Sequence, residues 1–260
     1  MTAPVLAPSP GCRAARRPRA RNDENGGAMD ATSGAGSFVA AATLLSAADR
    51  ALDDLWTPFL GPTGTEGAVV TTLGDPMGTQ TVGATDDIAA RIDEIQIDLG
   101  EGPCWEALRR RRPVLTADVG GGRETEWPTA RSAFQELDIG ALFSFPMYVG
   151  KVGIGSIDLY SRRTGDMPDG TVRGAELLAA VVARKLMRRA LRNVGAASEG
   201  IPDGPYSRRE MHQATGMVAA QLSMDVDDAL LVLRGHAFAT GRSVLDVAAD
   251  VVARRLAFDA

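Results

Sequence analysis

The chain has 260 residues, 45% of them apolar, and a net charge of −5. This composition is typical of a globular protein, and the charge argues against a generally basic protein that coats nucleic acid. The two cysteines, Cys12 and Cys104, exclude a disulfide framework and fit a reducing cytosol. No apolar run reaches the roughly 18 residues of a membrane span, and Arg16–Arg17 lacks the apolar segment of a secretion signal. We therefore expect a cytoplasmic protein.

The N-terminal segment is rich in Ala, Arg, Pro and Gly and has no apolar periodicity, which predicts a disordered tail over 1–34. Met29 leaves two interpretations open: it is the true start and residues 1–28 are not translated, or the tail is translated and disordered. The first helix is predicted over 38–56, ended by Pro58.

The middle of the chain predicts an antiparallel sheet with short helices inserted between its strands. Two long strands meet at a tight turn, Gly150–Lys151. In the second of them polar and apolar residues alternate, with Ser156 and Asp158 opposite Ile157, which favours a sheet with one buried face. The predicted strands are 66–73, 77–84, 113–119, 141–150 and 151–161, and the predicted helices between them are 86–96, 102–112 and 127–139.

A long helix over 170–194 closes this first region, and its leucines and valines recur at helical spacing. The composition of residues 195–205 is that of a linker. The remainder, 206–260, predicts a three-helix bundle. The predicted fold class is thus α+β, with an N-terminal domain over 38–194 built on an antiparallel sheet with flanking helices, and a C-terminal helical bundle.

Local signals mark the ends of the bundle helices. Ser207 and Glu210 have the spacing of a capping box at the start of the first helix. The second helix is predicted to begin at Asp225 and to stop at Gly241, and Ser243 is predicted to begin the third.

Few residues suit catalysis. The only histidines, His212 and His236, lie in the bundle, so the α+β domain lacks the commonest general base and metal ligand. Cys104 is predicted at a helix N-terminus, where a thiolate would be favoured; the alternative, a small buried apolar residue, is the one we favour. Without a phosphate-binding glycine loop or paired carboxylates, we expect neither an enzyme nor a bound cofactor or metal.

The candidate nucleic-acid site lies at the start of the first bundle helix. Arg208, Arg209, His212 and Gln213 cluster there, and Gly216 follows one turn later. A phosphate backbone could approach closely at this glycine, assisted by the helix N-terminal amides. The alternative is ordinary solvated arginines and a glycine that lets two helices pack.

The C-terminal segment resembles the ANTAR domain, an RNA-binding three-helix module of bacterial transcription antiterminators. The resemblance lies in "HQATGMVAAQL" and "DDALLVLRGHAFATGRSVLDVAADVVARRL". Many members of the family carry a lysine where this chain has Thr215. The resemblance implies that "HQATG" presents a close-approach surface to the loop of an RNA hairpin. The matching positions are Ala214, Gly216, Ala229, Leu233, Ala237, Val247 and Ala248.

The region 38–192 is similar to GAF domains that precede ANTAR domains in actinobacterial proteins. The resemblance lies in "LGEGPCWEAL", "WP" and "FSFPMYVGKVGIGSIDLYS" together with the long terminal helix. The cyclic-nucleotide signature of some GAF domains and the clustered cysteines of sulfoxide-reducing ones are absent from the sequence. The resemblance implies a sensor or dimerisation domain whose ligand is an unidentified small molecule.

Two functions follow from these resemblances. The first is a cytoplasmic transcription antitermination regulator whose ANTAR domain binds hairpin loops in nascent RNA under control of the GAF domain. The second is a small-molecule sensor whose bundle mediates only protein–protein contacts. The helix over 170–194 also carries more apolar surface than one sheet face requires, so another helix should cover part of it. The candidates are the helix over 38–56 of the same chain and the same helix of a second chain. We expect a homodimer held mainly through the helices that flank the GAF-like region.

Overall fold

The computed structural model describes residues 27–47, 54–74, 76–121, 126–195 and 209–258. These residues form a domain with a central antiparallel sheet and flanking helices, followed by a helical bundle, which confirms the predicted α+β fold class. The strands are β1 (Gly67–Thr72), β2 (Gln80–Ala84), β3 (Val114–Thr116), β4 (Ala141–Val149) and β5 (Val152–Ser161). The helices are α1 (Gly27–Ser46), α2 (Thr57–Thr63), α3 (Asp87–Leu99), α4 (Pro103–Arg110), α5 (Pro128–Phe134), α6 (Asp169–Gly195), α7 (Arg209–Leu222), α8 (Val226–Thr240) and α9 (Val244–Val252).

The sheet has the strand order β2-β1-β5-β4-β3, and every neighbouring pair is antiparallel. The predicted turn joins β4 to β5, with Gly150 in the left-handed region at φ 61°. Gly155 has a φ of 154°, and a Cβ atom there would lie 1.9 Å from the carbonyl oxygen of Thr71. Only glycine permits this close approach of β5 to β1.

Both faces of the sheet are buried, so the predicted exposed face is wrong. Ile157 and Leu159 pack with α1, α2 and α6 on one side. Helices α3, α4 and α5 cover the other side, where Ser156 is fully buried and Asp158 is 2% exposed. The alternation in β5 therefore separates an apolar face from a buried polar face, because helices inserted between the strands fold back over the sheet.

The N-terminal helices differ from the prediction. α1 ends at Ser46, and α2 is a separate helix in which Pro58 lies in the first turn. Proline is tolerated at that position because the first-turn amides have no intrahelical acceptor. α1 also begins at Gly27, so its first turns fall inside the segment 1–34 that was predicted to be disordered; residues 1–26 lie outside the described part of the chain.

The long helix α6 extends slightly beyond its predicted bounds and packs against α1. Phe38 of α1 lies against the bare backbone at Gly174, where a Cβ atom would meet its ring at 2.5 Å. Leu177 and Leu191 remain exposed, at 68% and 64%. Among the described helices, none is long and apolar enough to cross a membrane.

The start and end of α8 and the start of α9 lie at the predicted signals. Asp225 accepts a hydrogen bond from the Asp228 amide at the start of α8, and Gly241 ends that helix in the left-handed region. Ser243 caps α9 in the same way. α9 ends at Val252, although apolar residues at helical spacing continue to Leu256, and the predicted capping serine, Ser207, lies outside the described residues.

Candidate functional site

One face of α7 carries the described residues of the predicted nucleic-acid site. His212, Gln213 and Gly216 are all exposed, whereas Met211 and Ala214 point into the bundle core. We call these three exposed residues the α7 surface. Their exposure leaves two side chains with hydrogen-bonding groups and one stretch of bare backbone available to a partner.

Among the described residues, none packs against Gly216 closely enough to require a glycine there. A Cβ atom built on Gly216 would meet nothing within 4 Å. Glycine inside a helix costs roughly 1 kcal/mol relative to alanine. The described contacts therefore do not support the packing of two helices as the reason for this glycine. The close approach of a ligand backbone is the explanation that is left.

Thr215, which replaces the lysine of many ANTAR domains, does not belong to the α7 surface. It is 4% exposed, and its hydroxyl donates to the carbonyl oxygen of Met211 at 2.7 Å. This bond within the helix satisfies the hydroxyl in the core, so Thr215 is not placed to contact a phosphate.

Two predicted site residues cannot be positioned. Arg208 lies outside the described residues, and Arg209 is described only as the first residue of α7. Their assignment to RNA binding stays a prediction.

The GAF-like region contains a buried polar cluster made of Thr71, Thr81, Asp93, Gln96 and Asp158. Asp93 accepts hydrogen bonds from the hydroxyls of Thr71, at 2.5 Å, and of Thr81. Gln96 donates to Asp158 Oδ2 at 2.6 Å. The cluster links α3 to strands β1, β2 and β5 with charged and polar groups that are cut off from water.

The carboxylate of Asp158 is only partly satisfied. Its Oδ1 atom and the hydroxyls of Ser144 and Ser156 are buried without a hydrogen bond of good geometry among the described residues. Burial raises the pKa of Asp158 to about 7, and the nearby Ser144 hydroxyl and the Gln96 amide oppose that rise. Asp158 is therefore poised to change charge near neutral pH, and the two serine hydroxyls beside it meet its carboxylate in poor geometry.

Cys104 lies beside this cluster as a buried apolar residue, the interpretation favoured from the sequence. It is fully buried and packs with Leu73 and Ile97. Burial raises the pKa of its thiol well above the ordinary value, so the thiol stays protonated. No group of three or more His, Cys, Asp or Glu side chains in the described ranges could hold a metal ion.

The two regions touch at the C-terminal end of α3, a feature that the sequence did not indicate. Arg234 Nη2 of α8 donates to the carbonyl oxygen of Ile97 at 2.9 Å. The amide of Val244, the first residue of α9, donates to Asp98 Oδ2 at 3.0 Å. These four residues form the interdomain contact. A cleft of about 370 Å³ opens beside it, lined by both regions, with Phe238 on its rim.

Sequence reasoning missed the buried cluster and the interdomain contact. Asp93 and Gln96 fall on the buried side of α3 together with Ile92, and polar residues within an apolar stripe are the one local signal of a buried polar site. Asp158 gave no such signal, because its alternation with Ile157 is also that of a solvent-facing residue.

Comparisons with known proteins agree with this architecture. A family model for the GAF domain matches residues 41–187, and a family model for the ANTAR domain matches residues 206–252. No curated protein sequence matches the chain at a significant level.

Solved structures are similar to the first domain at low sequence identity, and the first of them shares its fold. The GAF domain of a phosphoenolpyruvate-protein phosphotransferase from Coxiella burnetii has a TM-score of 0.52 and 13% identity, over 64% of this chain and 99% of that chain. The corresponding GAF domain from Acinetobacter has a TM-score of 0.46 and 8% identity, over 63% and 97% of the two chains. Free methionine-R-sulfoxide reductase from Neisseria meningitidis has a TM-score of 0.44 and 11% identity, over 62% and 93%.

The GAF match covers more than half of the 260 residues and contains the whole sheet together with α2 to α5. The ANTAR match contains α7, α8 and α9. The chain therefore belongs to the GAF domain family and carries an ANTAR domain after its GAF domain.

Proposed function

We propose that this protein is a cytoplasmic, non-enzymatic regulator whose GAF domain senses a signal and whose ANTAR domain binds hairpin loops in nascent RNA, preventing terminator formation. The observation that carries the proposal is the α7 surface. Gly216 leaves bare backbone open to a partner, and His212 and Gln213 stand exposed beside it. Splayed bases of an RNA loop are read by side chains of this kind at close approach.

Sensing is assigned to the GAF domain because of its buried polar cluster. A fully apolar core would make the domain more stable, since a buried polar group without a full set of partners costs about 1–3 kcal/mol. Among the described residues, Asp158 Oδ1, Ser144 Oγ and Ser156 Oγ interact with one another in poor geometry, which leaves each of them incompletely satisfied. A small polar molecule that satisfied them would shift the equilibrium of the domain toward the bound conformation.

A second function, a bundle that contacts only proteins, is favoured by one observation. Leu231 and Phe238 are exposed on α8, at 61% and 70%, and Gly235 between them leaves open backbone. Large exposed apolar side chains are common where proteins associate. We rank this function second because it gives no role to the exposed polar residues of α7.

Filter binding of the full chain to a pool of structured RNAs separates the two functions. RNA binding predicts retention that weakens as salt rises, because phosphate contacts release counterions. No salt-sensitive retention would contradict RNA binding and favour protein contacts. RNA crosslinked to the protein in the native cell, then sequenced, would identify the transcripts.

A homodimer remains part of the proposal. Leu177 and Leu191 on α6, with Val39 and Leu44 on α1, are exposed beside the basic residues of α6. Burial of these side chains against a second copy would pair two ANTAR domains and raise avidity for a target with two hairpins. Sedimentation equilibrium at micromolar protein is expected to give twice the monomer mass of 27.3 kDa; the monomer mass, with and without RNA, would exclude the dimer.

A further inference from the structure

Helix α3 takes part in both the buried polar cluster and the interdomain contact. Asp93 and Gln96 hold the inner side of the helix to the sheet through Thr71, Thr81 and Asp158. One residue after Gln96, the helix end begins to contact the ANTAR domain. A change in the cluster that moves α3 must therefore also move the atoms that hold the ANTAR domain.

The interdomain contact lies at the ends of helices, where backbone groups are open to further partners. Val244 is the first residue of α9, and its amide has no intrahelical acceptor, so the Asp98 carboxylate fills that place. Ile97 lies in the last turn of α3, and its carbonyl accepts from Arg234 of α8. One bond places the Asp98 carboxylate at the positive N-terminal end of α9. The other places the Arg234 cation at the negative C-terminal end of α3, so the helix dipoles favour both bonds.

The interdomain contact is polar. It consists of polar bonds beside an open cleft of about 370 Å³, and Phe238 on the rim of that cleft is 70% exposed. Permanent domain interfaces are larger and more apolar, whereas polar interfaces of limited size permit relative domain motion.

In the docked arrangement, GAF oxygens occupy two groups of the ANTAR domain that attract phosphate. Arg234 donates to Ile97, and the N-terminus of α9 faces the Asp98 carboxylate. The α7 surface stays exposed in this arrangement, so the contact withholds only these two groups. An RNA backbone would compete with the GAF oxygens for them, since helix N-termini and arginines are the usual partners of phosphate in proteins.

We propose that the interdomain contact is an autoinhibitory latch: while the buried polar cluster is intact, the end of α3 holds the ANTAR domain, and rearrangement of the cluster releases that domain for RNA. The inference rests on the proposed function, since it assumes that the ANTAR domain binds RNA. Latch and cluster are coupled through α3, so a change in either shifts the population of the other.

The test uses the full chain with Asp98→Ala and, as a matched control, Asp138→Ala, which removes an exposed GAF carboxylate paired with Arg162. The first readout is the hydrogen exchange rate of the Val244 amide, measured by NMR. The second is retention of a pool of RNA hairpins with randomised loops. We expect Asp98→Ala to speed Val244 exchange about tenfold and to tighten RNA retention at least about fivefold, and Asp138→Ala to change neither.

A third variant tests the coupling through α3. Thr81→Val removes the hydroxyl that donates to Asp93 from β2, and the described contacts of Thr81 include none with the ANTAR domain. Faster Val244 exchange in this variant is expected if the cluster controls the latch. It also replaces Asp98→Ala as the test if that variant fails to fold.

The outcomes are distinguishable. Unchanged Val244 exchange in Asp98→Ala overturns the latch, and unchanged exchange in Thr81→Val overturns its control by the cluster. Faster exchange with unchanged RNA retention also overturns autoinhibition, while leaving RNA binding intact. No retention of the pool by any of the proteins, the wild type included, overturns the proposed function and this inference with it.

Discussion

The two domains place their polar residues in opposite locations. The GAF domain buries Asp93, Gln96 and Asp158 between its sheet and α3. The described core of the ANTAR bundle is built from small and medium apolar side chains, with Thr215 as its buried polar residue. The polar residues of α7, His212 and Gln213, lie outside.

This difference in the location of polar residues matches the different functions proposed for the two domains. Buried charged groups lower the stability of a domain, and they give it a state that a ligand or a proton can alter. A domain with an apolar core keeps one shape and can present the same surface to each partner. We therefore expect core changes to alter response in the GAF domain and only stability in the ANTAR domain.

The largest effect is expected from a cavity in the apolar core. Leu233 is fully buried in the bundle, so Leu233→Ala should cost about 2–5 kcal/mol and unfold the ANTAR domain first. All three tryptophans, Trp56, Trp105 and Trp127, lie in the GAF region, so their fluorescence reports that domain alone. Urea titrations should show a lower midpoint by circular dichroism and an unchanged one by fluorescence. A shift of both would mean that the two domains unfold together.

The next effect concerns Asp158. Because its pKa is raised from 3.8 to about 7, the folded state binds more protons than the unfolded state between these values. Stability of the GAF domain should therefore fall as the pH rises through this window, by up to about 1.4 kcal/mol per pH unit, and level off above it. Tryptophan-monitored urea titrations from pH 5 to pH 8 measure this slope.

Asp158→Asn is the matched variant for that experiment, because it keeps the shape of the side chain and removes its titration. The slope should flatten in the variant, and its stability should exceed that of the wild type at pH 8. Equal slopes in both proteins would show that Asp158 does not control the pH response of the GAF core.

A smaller effect is expected on the surface of the ANTAR domain. Arg208→Ala with Arg209→Ala should weaken RNA binding and reduce the slope of log affinity against log salt by roughly 1–2. Folding should survive, since both residues precede the apolar stripe of α7, which consists of Met211, Ala214, Val218 and Leu222. The control is Arg162→Ala with Arg163→Ala, an exposed arginine pair on the GAF domain, which should leave the slope unchanged. An unchanged slope in the first double variant would reject these two arginines as phosphate contacts.

The smallest effect is on stability at Gly216. Gly216→Ala should raise the stability of the bundle by up to about 1 kcal/mol, because the new methyl group enters open space. Gly235→Ala on α8 is the matched control, since a Cβ atom there also meets nothing within 4 Å. Thermal melts should show stabilisation by both, whereas only Gly216→Ala should lose RNA retention. Equal retention by the two variants would remove Gly216 from the RNA site.

Part of the site could be predicted from the sequence because it depends on one helix. The exposure of His212, Gln213 and Gly216 follows from the apolar stripe of α7, which the helical period alone assigns to the opposite side. Arg234 and Asp98 could not be paired in the same way. They are separated by more than a hundred residues, and each has an ordinary local role as a solvated charge.

Local interactions were thus decided by the sequence itself. Asp225 and Ser243 cap their helices, and Gly150 and Gly241 turn the chain, through bonds that span only a few residues. The tertiary structure decided whether Asp158 meets water or the inner side of α3, since the same alternation fits both surroundings. It also decided that α3 ends against α9, because that contact depends on how two domains pack and leaves no periodic pattern in either.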